Sequence, residues 1–139
     1  MFSKNSRKWL LAMGVGVATL GGASLATAGM RWSYWFTMDV PERRVEAVLS
    51  AIRNDSSGSN YAGCWIQGDA AGGALSCYGY DGTNSISCYH PKSKPNFTPL
   101  LLAVQSLSGD SLLQFKANAD GTCAYIYVTN ASYWEPKKP

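Results

Sequence analysis

The sequence predicts an α+β domain: one mostly antiparallel sheet of about six strands, two helices packed on one face, and disulfides to hold it. Three observations carry that reading. Segments that alternate apolar and polar at every second residue outnumber those with helical spacing. Asp-Gly pairs and Gly/Pro/Ser/Asn clusters separate them at short intervals. Cys64, Cys77, Cys88 and Cys123 are even in number and all follow the first 28 residues.

Those 28 residues read as a secretory signal peptide. Lys4, Arg7 and Lys8 open it, Trp9 to Ala28 is apolar and rich in Gly and Ala, and Ala26-Thr27-Ala28 fits a cleavage site before Gly29. The rival is a retained anchor, because the apolar run has about the ~20 residues of a membrane span. Residues 29–139 are then a single small domain in the periplasm or outside the cell, with no membrane attachment after cleavage. The whole chain has 12 Lys plus Arg against 9 Asp plus Glu. Three of the basic residues lie in the signal, which leaves nine against nine. A neutral domain has no basic stripe for phosphates, so nucleic acid is not an expected partner.

Within the domain, Arg31 to Asp39 alternates, with Trp32, Tyr34, Phe36 and Met38 on one face. A helix is expected next. Asp39 and Glu42 resemble a capping box, Pro41 suits a first turn, and Val45, Val48, Leu49 and Ile52 follow helical spacing up to Asn54. Short strands are expected over 61–69, 74–80 and 85–90, the last two joined by an Asp81-Gly82-Thr83-Asn84 turn. Thr98 and Pro99 begin a second helix with Leu100, Leu101, Val104 and Leu107 on its apolar stripe; Gly109 ends it in a left-handed conformation. Ser111 to Thr129 is a hairpin around Asp120-Gly121, read as a type I′ turn. That register pairs Ala117 with Ala124, Phe115 with Ile126 and Leu113 with Val128, and puts Cys123 on the polar face with Tyr125 and Tyr127. The tail from Ala131 frays. The order suggests a β-α-β-β unit used twice.

Export makes two disulfides the expectation for the four cysteines. The turn at 81–84 sets Cys77 opposite Cys88, which favours Cys77–Cys88 with Cys64–Cys123. No Cys-x2-4-Cys spacing suggests zinc, and no metal or other cofactor is expected. His90 is the only histidine. It stands at a strand end beside a Lys- and Pro-rich loop and reads as a solvated residue rather than half of a catalytic pair. Asp69, Asp81, Asp110 and Asp120 are available for two-carboxylate catalysis, but turn formation accounts for the last three. Asn54, Asn96 and Asn130 begin Asn-x-Ser/Thr triplets, short enough to arise by chance. The residues with most to offer a ligand are aromatic: Tyr78 and Tyr80 on one strand, Tyr125 and Tyr127 on another, with Trp65 and Tyr89 beside them. Such side chains combine large contact area with a polar tip. The expectation is an exported, non-enzymatic binding protein whose tyrosine face meets a glycan or another extracytoplasmic protein. The alternatives are an inhibitor or accessory protein of a secreted enzyme, working through the loop His90 to Asn96, and a small carboxylate hydrolase.

Overall fold

The computed structural model describes residues 36–56, 58–68, 70 and 72–131. The signal segment, most of the first expected strand, Asp69 and the tail from Ser132 lie outside these residues. Seven strands and two helices follow in the order β1 (Phe36–Asp39), β2 (Arg44–Val48), α1 (Leu49–Asn54), β3 (Asn60–Gln67), β4 (Ala74–Asp81), β5 (Ser85–Pro91), α2 (Phe97–Gln105), β6 (Leu112–Ala117) and β7 (Cys123–Thr129). All pairings are antiparallel. The strands form two sheets, β1-β2-β6-β7 and β3-β4-β5, where a single sheet was expected. Read from β2, the order β-α-β-β occurs twice. The pairing does not repeat, because β2 joins β6, the first strand of its hairpin, whereas β5 joins β4, the second.

The inner faces of the two sheets share one core. Val45, Leu113, Phe115 and Ile126 from the larger sheet meet Leu75, Cys77, Ile86 and Cys88 from the smaller one, and Leu49, Leu100 and Val104 of the helices complete it. Gly79 allows the close approach: a Cβ there would stand 2.8 Å from both methyl carbons of Val45.

The first helix is the largest correction. Residues 44–48 are a strand, and only Leu49–Asn54 is helical. Arg-Val-Glu-Ala-Val satisfies period 2 as well as helical spacing, and a run this short is ambiguous between them. Pairing with β6 decides it, since the strand buries Ala47 along with Val45. The capping signal is real but serves a hairpin. The Asp39 carboxylate accepts the Glu42 N–H at 3.1 Å, Arg43 N–H donates to the Val40 carbonyl at 3.1 Å, and Arg43 takes φ 52° to close the loop.

The second helix starts from Asn96, which has φ 64°, not from Thr98, and its last turn is closed by Ser106. Gly109 is not left-handed; Arg53 lies over it instead, 2.6 Å from where a Cβ would be.

The β6–β7 hairpin forms with Leu113 opposite Val128 and Phe115 opposite Ile126, but its turn is one residue longer than a type I′ connection. Gly121 N–H donates to the Asn118 carbonyl at 3.0 Å and Asn118 N–H to that of Thr122 at 2.8 Å. Of the Asp120-Gly121 pair only Gly121 has positive φ, at 83°. A three-residue loop with a left-handed glycine produces a bulge. Ala117 therefore faces Cys123, which turns inward and is buried, while Ala124 turns out.

That inward turn bears on the disulfides, which are Cys64–Cys77 and Cys88–Cys123. Cys77 does stand opposite Cys88, as the 81–84 turn implies, but it also stands opposite Cys64. The hydrogen-bonding phase selects between them. Cys64 and Cys77 have Cα atoms 4.1 Å apart, the close spacing of a non-hydrogen-bonded pair. The Tyr89 N–H points away from β4, to the Gly121 carbonyl at 2.9 Å. Its neighbour Cys88 therefore spends its backbone groups on Cys77, and hydrogen-bonded pairs stand farther apart. Cys88 instead bridges to Cys123, joining the two sheets.

Candidate functional site

Opposite residues in antiparallel strands share a face, so the register of β3-β4-β5 defines the outward surface row by row. Tyr61, Tyr80 and Ser85 form one row; Gly63, Tyr78 and Ser87 the next; then Trp65, Ser76 and Tyr89; then Gln67, Ala74 and Pro91. The opposite parity carries Ala62, Cys64, Leu75, Cys77, Ile86, Cys88 and His90, largely the core. Outward alternation along β4 and β5 is thus enforced by what the other face must bury.

Four of the six aromatic candidates come together here: Trp65, Tyr78, Tyr80 and Tyr89. Tyr61 joins them, its ring centroid 5.8 Å from that of Tyr78. Trp65 is 47% exposed and Tyr89 52%, one on each side of Ser76, which is buried in the central strand. The Tyr80 hydroxyl donates to the Gly82 carbonyl at 2.7 Å, which fixes its ring over the β4–β5 turn. No strand residue on this face is charged. What it offers is aromatic surface interleaved with the exposed hydroxyls of Ser85 and Ser87, with Ser76 buried between Trp65 and Tyr89.

Tyr125 and Tyr127 belong elsewhere. They stack on the outer face of the other sheet, ring centroids 4.8 Å apart, opposite Lys116 and Gln114. That face is ionic: Lys116 pairs with Glu42 at 2.7 Å, Gln114 bonds Glu46, and Arg44 lies 3.9 Å from Asp39. The Lys116 ammonium is held above its usual pKa by the Glu42 hydrogen bond and charge. With the core between them, the two tyrosine sets do not make one surface.

Comparison with family models, with curated proteins and with solved structures finds no match.

His90 corrects an expectation. It is buried at 6% exposure, with Nε2 2.9 Å from the Pro95 carbonyl. That contact requires Nε2–H to donate, while the buried Nδ1 has no hydrogen-bond partner among the described residues. The imidazole latches the loop 91–96 from below. Asp81 and Asp120 are occupied by turns. Asp81 accepts the N–H groups of Thr83 and Asn84 at 2.8 and 2.6 Å, which with the Asn84 side-chain amide hold its carboxyl below the ordinary value. Asp120 accepts from the Thr122 hydroxyl and N–H at 2.6 and 3.0 Å, with the same effect. Among the described residues no cluster of His, Cys, Asp or Glu is placed to hold a metal ion, and no helix is long and apolar enough to cross a membrane.

Tyr61 and the three serines were missed by sequence reasoning. Glycines obscure the alternation of β3, and serine has no signature of its own until the register puts it between aromatics.

Proposed function

We propose that this chain is an exported, non-enzymatic binding module that holds a neutral glycan on the outer face of β3-β4-β5. The observation that carries the proposal is the exposed pair Trp65 and Tyr89 flanking Ser76 on a face without charge. Sugar rings offer apolar C–H faces to aromatic planes and hydroxyls to polar tips, and a charge-free surface suits an uncharged ligand. The sheet is braced from below by Cys64–Cys77 and from the side by Cys88–Cys123, so the platform is rigid before it binds. Two disulfides are compatible with the oxidising compartment to which an exported chain would go.

The test is an array of neutral and charged oligosaccharides, probed with the wild type and with Trp65→Ala, Tyr89→Ala and Tyr127→Ala. Neutral glycans are expected to be retained. Either of the first two substitutions should weaken binding roughly tenfold or more, about 1.4 kcal/mol, and Tyr127→Ala should not. Undiminished binding by both Trp65→Ala and Tyr89→Ala, or selection of charged sugars, would defeat the proposal.

A second reading, an accessory protein or inhibitor of a secreted enzyme, is supported by the bracing of the loop after His90. Pro95 is latched by His90, Lys94 N–H donates to the Pro91 carbonyl at 3.0 Å, and the Lys94 ammonium lies 3.8 Å from Asp120. Loss of partner capture on replacing Lys92 and Lys94, with glycan binding absent, would favour it.

A further inference from the structure

Strand β3 is eight residues long and, among the described residues, forms an edge of its sheet. Its pairing phase says which backbone groups are left over. Cys64 and Cys77 form a non-hydrogen-bonded pair, so Tyr61, Gly63 and Trp65 bond to β4 while Ala62 and Cys64 direct their N–H and C=O groups outward. Neither has a backbone partner on that side among the described residues. Neither residue is fully buried.

A cleft of about 420 Å³ runs along this edge. Four consecutive residues, 61 to 64, line it, which is possible only if the strand turns its edge, rather than one face, toward the space. The far wall carries the apolar side chains of Leu49 and Ile52 of α1 and of Leu107 after α2, with Ser108 and Gly109 beside them. Its one charged lining residue is Arg53. That guanidinium makes a single long contact, 3.5 Å from the Gly109 carbonyl, and no described carboxylate lies within ion-pair distance of it. An open strand edge, an apolar wall and one cation with unused planar donors occur in the same place.

We propose that this cleft captures an extended peptide by adding it as a strand to β3, with its C-terminal carboxylate on Arg53 and an apolar side chain against Leu49, Ile52 and Leu107. Main-chain pairing supplies affinity in strand addition and side-chain pockets supply selectivity. A single arginine matches a single carboxylate, and an otherwise uncharged lining disfavours peptides with further charge. The cleft shares Tyr61 and Gly63 with the aromatic face but not Trp65 or Tyr89, so either proposal can fail without the other.

The experiment uses the oxidised, exported protein and a synthetic array of N-acetylated pentapeptides with randomised C-terminal residues, each made as free acid and as amide. Free acids with apolar terminal residues should bind, at least tenfold more tightly than their amides. Arg53→Gln should erase that preference while the unfolding midpoint stays put. At saturation the Ala62 and Cys64 amides should exchange at least tenfold more slowly. Equal binding of acids and amides, or no slowing at those two amides, overturns the proposal. So does saturation by octanoate that slows neither amide and blocks the peptide, which would make the cleft a small-acid site. A concentration-dependent dimer protecting the same amides without peptide would assign the edge to a second copy and equally overturn it.

Discussion

Gly79 sits in the central strand of the smaller sheet, where its missing side chain is filled by Val45 of the larger one. Val45 is fully buried and both its methyl carbons lie 2.8 Å from the point a Cβ would occupy. An added methyl must therefore displace buried backbone or force Val45 from its rotamer. Gly79→Ala is expected to cost about 1–3 kcal/mol through overpacking, read as a lower urea midpoint at unchanged m-value. Gly63→Ala is the matched control, because a Cβ there meets only the Tyr61 hydroxyl end, its oxygen at 3.5 Å, an ordinary contact. A similar loss in both would mean that strand glycines are costly to replace for reasons other than this contact. In the sequence alone Gly79 is only a glycine inside a short strand, a residue that weakens the pattern. Its role depends on which residue of a second sheet stands over it, and no local pattern carries that.

Turns are the elements most legible in the sequence, and also where it misled by one residue. Asp81-Gly82-Thr83-Asn84 closes as expected because a single carboxylate satisfies two backbone N–H groups at once. Asp120 acts in the same way beside Gly121, but Ala119 joins the loop and the added residue shifts the last pair of the hairpin. Asp39 shows the limit of such signals. An aspartate accepting the N–H three residues on opens a helix or a hairpin turn equally well, and the burial of Ala47 decides which. Asp81 and Asp120 have carboxyls held below 3.8 by hydrogen bonds that only the ionised form accepts fully. A depressed folded pKa stabilises the fold above the unfolded value and loses that contribution as pH falls through the folded one. The double variant Asp81→Asn, Asp120→Asn keeps one acceptor oxygen in each turn for the backbone N–H groups, replaces the other oxygen by an amide donor, and removes the charge. Its deficit relative to wild type should be full at neutral pH and close below 3.8. A deficit that persists undiminished in acid would mean that the amide fails as an acceptor and the charge is not what matters.

On the scale of the molecule, the sequence foretold strands, two helices and two disulfides, yet not that the strands divide between two sheets. The apolar faces of β4 and β6 look alike as patterns whether they line one sheet or oppose each other across a core. The bridges separate those cases. Cys64–Cys77 lies within the smaller sheet and closes a short loop, the two cysteines 13 residues apart; Cys88–Cys123 spans 35 residues and ties one sheet to the other. Loop-closure entropy gives about 3 kcal/mol for the first and about 4 kcal/mol for the second. Together, at about 7 kcal/mol, they fall in the lower half of the ~5–15 kcal/mol by which native proteins are stable. The double substitution Cys88→Ala, Cys123→Ala should therefore lower the unfolding free energy by about 4 kcal/mol and loosen both sheets. Cys64→Ala, Cys77→Ala should cost about 3 kcal/mol and leave the β6–β7 hairpin protected from amide exchange. Full reduction should abolish the near-UV signal of the packed aromatics. If the intra-sheet pair proves the more costly, loop length is not what sets the contribution. Burial of Cys77 in the centre of β4 would then be the term to pursue, since its sulfur is wholly enclosed by the core that both sheets share.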